Sequence, residues 1–156
     1  MLVWHGRPMT TKRTHKPARK QASASLRPIG IMRSPLKTRK EAPKQGSEGA
    51  PEAWLEVRAF AAPALEGLAE GDDIIVLTWL HKSRRDVLKV HPRDNRDNPL
   101  TGVFGTRSSD RPNPIGLHRA TIQRIDQNRL LIGPIEAIDG TPVIDIKPVL
   151  SGIKDY

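Results

Sequence analysis

Two arginines and two prolines share one short stretch, Thr106-Arg107-Ser108-Ser109-Asp110-Arg111-Pro112-Asn113-Pro114-Ile115-Gly116-Leu117. Proline fixes its own φ and drives the residue before it toward extended backbone, so Arg111 and Asn113 are both restrained and the loop is expected to be stiff. A stiff loop presents its side chains to a ligand without an ordering cost on binding. The same residues also suit a plain rigid connection between strands, with both arginines solvated, and spacing alone slightly favours that plainer reading. A second stretch, Asp139-Gly140-Thr141-Pro142-Val143-Ile144-Asp145-Ile146-Lys147-Pro148, opens on an Asp-Gly step that signals a hairpin. Strand alternation after it places Val143, Asp145 and Lys147 on one face, with Ile144 and Ile146 on the other. Asp145 and Lys147 then form either an ion pair at a barrel end or a site where a cation keeps a carboxylate ionised to orient a substrate or accept a proton. Two smaller signals are the polar loop Glu41-Ala42-Pro43-Lys44-Gln45-Gly46 and the His81-Lys82 pair, which follows an apolar run as residues at a pocket mouth do.

Composition narrows the chemistry further. The chain has 156 residues and no cysteine, which excludes disulfides, thiolate nucleophiles and cysteine-based zinc or iron–sulfur sites. His5, His15, His81, His91 and His118 include no pair at the spacing of a helical HExxH zinc site, so no metal is expected. No apolar run approaches the roughly 20 residues that span a bilayer, and no membrane partner is expected. Aromatic residues make up 4 % of the chain, too few for a sheet of stacking rings. The formal net charge is +9, of which residues 1–25 carry +6 through Arg7, Lys12, Arg13, Lys16, Arg19 and Lys20 without one acidic side chain. That segment lacks a hydrophobic period and reads as a disordered basic tail, either an arm for phosphates or simply solvated.

These loops need a scaffold, and from Leu26 the chain turns to short apolar runs separated by turn residues. Strands are expected at Arg27–Arg33, Ala53–Phe60, Ile74–Leu80, Val87–Val90, Val103–Thr106, Leu117–Ile125, Arg129–Ile138 and Val143–Ile146, with one helical turn at Pro63–Leu68. Leu55, Val57 and Ala59 alternate against Glu56 and Arg58, whereas Ile74–Leu80 is apolar apart from Thr78 and suits burial on both faces. With 14 prolines and a mean hydropathy of −0.50, the chain favours an all-β, mainly antiparallel fold, a closed or nearly closed small barrel over residues 26–156.

In their order, RPIGIMRSP, EAPKQG, the His81-Lys82 pair, GVFGTRSSDRPNPIGLHRA and IDGTPVIDIKP resemble the TsaA-like family, whose bacterial members are the TrmO tRNA methyltransferases. The likeness runs from about Leu26 to the end of the chain. It implies a small barrel, usually a homodimer in the cytoplasm, that binds S-adenosylmethionine without a Rossmann domain, and the sequence has no GxGxxG. Carried over motif by motif, it implies cofactor contacts from Pro43, Lys44 and Gln45, from His81 and Lys82, from Arg107 and Leu117, and from Asp139, Gly140, Thr141 and Pro142. It further implies methyl transfer to the exocyclic nitrogen of threonylcarbamoyl-adenosine beside the anticodon of tRNA. Asp145 is then the candidate base, and Arg111, Asn113 and Lys147 are candidate substrate contacts. Lys44 stands where the family commonly has arginine and Val149 where an aromatic residue is usual. A barrel that binds nucleotide or RNA without catalysis is the competing class.

Overall fold

The computed structural model describes residues 25–150; the expectations on the basic tail before Ser25 lie outside the described residues. Six strands close into an antiparallel barrel in the order β1 (Gly30–Arg33), β2 (Ala53–Val57), β7 (Arg129–Gly133), β6 (Ile115–Asp126), β3 (Asp73–Trp79) and β8 (Pro142–Pro148), which returns to β1. Two further strands, β4 (Lys89–Val90) and β5 (Thr101–Gly102), pair as a small separate ribbon. Closure leaves the barrel no free edge, which is how a small all-β chain satisfies its backbone. Among the described residues no helix is long and apolar enough to cross a membrane.

The core follows from alternation. Leu55 and Val57 of β2, Ile74 and Val76 of β3, Ala120 and Ile122 of β6, and Leu130 and Ile132 of β7 all point inward and are almost fully buried. Burial of such side chains is worth about 1.5–3 kcal/mol each before the entropy of ordering them. Ile74, Ile75 and Val76 are buried in succession, as the continuous apolar run foretold. Trp54, on the other face of β2, lies against Arg124 and Arg129, 5.0 and 4.9 Å from its ring centre.

Several expectations need correction. The second strand stops at Val57, and Ala59–Leu65 forms a 3₁₀ helix, so Ala59 leaves the inward face and is exposed. Val103–Gly105 is also 3₁₀, because Thr106 donates its backbone N–H and hydroxyl to the Val103 carbonyl and tightens a turn. β7 ends at Gly133; Pro134 has no N–H with which to continue a ladder, and residues 134–141 cross the barrel end. The Asp-Gly step is therefore no hairpin. Thr141 N–H donates to the Ile138 carbonyl around Gly140, whose φ is +76°, and this turn delivers the chain to β1, where Gly140 N–H meets Met32 O at 2.8 Å. β8 pairs with β1 and β3, not with β7.

In β8 the alternation also breaks. Leu77 faces Asp145 but Thr78 faces Val143, so Ile144 is an extra residue in a bulge. Val143 is thereby fully buried, and Ile146 packs on the core, while Asp145 and Lys147 turn outward together.

Candidate functional site

A cavity of about 790 Å³, within the range of small-molecule sites, lies against the Leu77–Lys82 end of β3 and the start of β6. The polar loop after β1 contributes Pro43, Lys44 and Gln45, and the stiff Pro-rich loop contributes Arg107 and Arg111. Leu117 comes from β6, His81 and Lys82 from the turn that follows β3, and Thr141 from the crossing segment. Eight of the eleven residues carried over as cofactor contacts are thus gathered in one place. Asp139, Gly140 and Pro142 do not line the cavity. The Asp139 carboxylate turns toward β1, accepting the Ser34 N–H at 3.0 Å and pairing with Lys37 at 3.1 Å, and this holds its carboxyl below the usual range.

The loops are stitched to one another. Arg39 reaches Asp110 at 2.9 Å and Ser109 Oγ at 3.0 Å, and Arg111 N–H donates to the Arg84 carbonyl. Arg111 is the residue that shapes the Pro-rich loop: its guanidinium donates to the carbonyls of Ser108, Val103 and Thr106 at 2.8, 2.9 and 2.6 Å. Those bonds commit most of its donors to backbone and tie the loop together where the prolines only restrain single residues. Asn113 is exposed outside the cavity, its carbonyl accepting the Ile115 N–H. Arg107, by contrast, is exposed on the cavity wall with no ion-pair partner among the described residues.

Across the mouth, Lys44 pairs with Asp94 and Arg93 with Glu48, so the 43–48 loop is clasped to the 92–94 turn. Lys44 lowers the pKa of the Asp94 carboxyl. Phe104, 83 % exposed, stands at the rim. Among the described residues His81 Nδ1 has no hydrogen-bond partner although it is buried, and burial together with the Lys82 charge lowers the ring's pKa. A buried polar atom without a partner in a cavity wall is what a ligand-contacting group looks like before the ligand is bound.

Asp145 and Lys147 do form a pair, 3.0 Å apart, but they are 45 % and 60 % exposed and neither lines the cavity. The cavity's own carboxylate was missed by sequence reasoning. Glu136, on the crossing segment, accepts a hydrogen bond at 2.8 Å from His118 Nδ1, and His118 Nε2 lies 2.8 Å from Thr78 Oγ1. The one available signal was His118 itself, a polar residue on the inward face that Gly116, Ala120 and Ile122 share. Glu136 stands outside any strand and carried none.

Residues 31–154 match the family described as the tRNA-methyltransferase O N-terminal domain. The chain belongs to this family. It is 36 % identical to a probable S-adenosyl-L-methionine-binding protein, VirR, of Rhizobium radiobacter, covering 94 % of this chain and 82 % of that one. It is 44 % identical to an S-adenosyl-L-methionine-binding protein of Archaeoglobus fulgidus, over 78 % of this chain and 86 % of the relative. The crystal structure of TrmO from Pseudomonas aeruginosa superposes with a TM-score of 0.66 at 29 % identity, over 86 % of this chain. This chain spans 61 % of that TrmO chain.

Proposed function

We propose that this member of the tRNA-methyltransferase O family binds S-adenosylmethionine in the cavity and methylates the exocyclic nitrogen of threonylcarbamoyl-adenosine in the anticodon loop of tRNA, as a cytoplasmic homodimer. The observation that carries the reading is the convergence of Pro43–Gln45, His81–Lys82, Arg107, Leu117 and Thr141, drawn from five places along the chain, on one cavity. The residues suit the cofactor's chemistry. Leu77, Leu117 and Ile138 offer apolar surface, Arg107 offers a guanidinium for a carboxylate, and the unpartnered His81 Nδ1 offers a polar contact. Relatives named for S-adenosyl-L-methionine binding support the same assignment.

Bound there, the cofactor would supply an electrophilic methyl group on a sulfonium. The chain's contribution is positioning and field. A loop locked by Arg111 and a mouth clasped by the Lys44 and Arg93 ion pairs hold the walls in place, and in-line placement of reacting atoms supplies a large share of such accelerations. Arg107 and Lys82, exposed on the cavity lining, present positive charge that matches an anionic RNA and favours loss of the proton from a carbamoyl-substituted nitrogen to solvent. The exposed ring of Phe104 offers a base a stacking surface at the same rim. Nucleoside mass spectrometry of tRNA from cells with and without this gene tests the reading: loss of the methylated threonylcarbamoyl-adenosine supports it. An unchanged nucleoside profile, with no S-adenosylmethionine binding in calorimetry, overturns it in favour of a non-catalytic barrel.

A further inference from the structure

Six lysines and arginines line the cavity against three carboxylates, and two of those three, Asp94 and Asp110, are already paired with Lys44 and Arg39. Glu136 is the third. Among the described residues its ion-pair partner is His118, and no lysine or arginine takes its place. The pair is deep: the His118 side chain is 4 % exposed and that of Glu136 18 %. Its order is also fixed. An ionised carboxylate only accepts, so His118 donates from Nδ1, and Nε2 is left to the hydroxyl of fully buried Thr78. Thr78 does not line the cavity, so this Thr–His–Glu chain presents its carboxylate, not its hydroxyl, to a ligand.

The second carboxylate oxygen faces the polar loop. A β-carbon at Gly46 would come within 3.1 Å of Glu136 Oε2, which places that oxygen directly beneath Gln45-Gly46. Burial pushes the Glu136 carboxyl up, but the hydrogen bond and charge of His118 outweigh it and the group ionises below its ordinary range. A carboxylate so held is a poor proton acceptor and a good counter-charge.

We infer that Glu136, oriented by His118 and Thr78, is the counter-charge for the sulfonium of the cofactor, so that the site distinguishes S-adenosylmethionine from its demethylated product. This rests on the cofactor reading above. The amino-acid end of the cofactor carries both an ammonium and a carboxylate and compensates itself, whereas the sulfonium is the uncompensated charge. In a cavity lined by six Lys and Arg side chains, that charge is repelled unless an anion stands near it. The product, S-adenosylhomocysteine, has a neutral sulfur and gains nothing from Glu136, which favours its release. His118 is a positioning residue, acting through the carboxylate it holds.

Calorimetry with three probes tests this: S-adenosylmethionine, S-adenosylhomocysteine, and sinefungin, which carries an ammonium in place of the sulfonium. The wild-type protein should bind the two cations roughly tenfold or more tighter than the neutral thioether, as one charge-assisted hydrogen bond or ion contact implies. Glu136→Gln should lose that preference, weakening both cations about tenfold while leaving S-adenosylhomocysteine within twofold. His118→Ala should lose it as well, and His118→Asn, whose amide nitrogen can replace Nδ1 as donor, should recover part of it. Equal weakening of all three probes by Glu136→Gln overturns the inference, since it would place Glu136 on a group they share; so does no weakening at all. Should Glu136→Gln fail to fold, the wild-type comparison decides by itself, because equal affinity for cations and thioether sinks the idea. Binding of none of the three by the wild type removes the cofactor reading along with it.

Discussion

Gly116 stands directly across the β3–β6 ladder from Thr78, and a β-carbon there would fall 2.4 Å from Thr78 Oγ1 and 2.6 Å from His118 Nε2. The glycine in the Pro-Ile-Gly-Leu run is thus where the buried Thr78–His118 hydrogen bond passes. Gly116→Ala must push one partner aside, and overpacking of this kind costs about 1–3 kcal/mol. The variant should melt several degrees lower and discriminate less between charged and neutral cofactor forms. A melting temperature equal to wild type, with the preference intact, would show that the hydrogen bond has room to spare.

Arg107 offers the cleanest test of the cavity wall, because it is exposed there without an ion-pair partner among the described residues. Arg107→Ala should leave stability within about 0.5 kcal/mol of wild type, as surface changes do. Affinity for S-adenosylmethionine should fall by about 1.5–3 kcal/mol if a charge-assisted hydrogen bond is removed. Unchanged affinity in calorimetry would take Arg107 out of the cofactor site.

His81 gives the molecule a dependence on pH. Burial, and then the Lys82 charge, lower its pKa from 6.5, so between the two values the unfolded chain binds a proton that the folded chain does not. Stability therefore falls as pH drops through 6.5 and stops falling once the lower, folded-state value is passed. His81→Gln should flatten the melting-temperature profile between about pH 7.5 and 5 relative to wild type. Parallel profiles for the two proteins would mean that the ring is not desolvated in solution.

How much of the molecule is legible in its residues depends on whether local pattern or long-range geometry decides the outcome. The inward faces of β2 and β6 are legible because Leu55 and Val57, and Ala120 and Ile122, alternate with outward residues, and the doubly buried part of β3 because Ile74–Val76 is an unbroken apolar run. Alternation misreads the β8 face because a bulge opposite Leu77 and Thr78 shifts Val143 relative to Asp145, and nothing in Val143-Ile144-Asp145 announces it. Val103–Gly105 has residues that suit a strand; the Thr106 bonds that tighten it into a turn and the Arg111 bond to the Val103 carbonyl come from outside its own pattern. The site divides the same way. The motif-borne groups Lys44, His81 and Arg107 reach the cavity, but Glu136 is recognisable only by its hydrogen bond with His118, 18 residues away and on another segment.

The basic segment before the barrel carries six of the chain's positive charges with no acidic residue. Deleting residues 1–25 should leave S-adenosylmethionine affinity unchanged and weaken tRNA binding. The slope of log affinity against log salt should flatten by up to about 4, at roughly 0.7 for each phosphate that the tail no longer neutralises. Filter binding across a salt series measures it, and an identical slope would mean that the tail does not touch RNA.

Asp145 is the carboxylate that strand alternation suggests as the proton acceptor. Its position argues the other way. Asp145 shares a face with Leu77, which lines the cavity, but its carboxylate is paired with Lys147 at 3.0 Å, is 45 % exposed and does not line the cavity itself. A general base must come within about 2.6–3.2 Å of its proton or reach it through one water, and removing one typically costs about 10²–10⁴ in rate. An exposed pair of this kind contributes about 0–1 kcal/mol to stability. Asp145→Asn should therefore keep single-turnover methyl transfer within a factor of about three and lower the melting temperature only slightly, since an effect of about 1.4 kcal/mol would be needed for a tenfold change. Rates at saturating cofactor, taken beside a thermal melt, decide the matter. A hundredfold slower reaction in a well-folded Asp145→Asn protein would restore Asp145 as the base and require the outward face of β8 to meet the substrate.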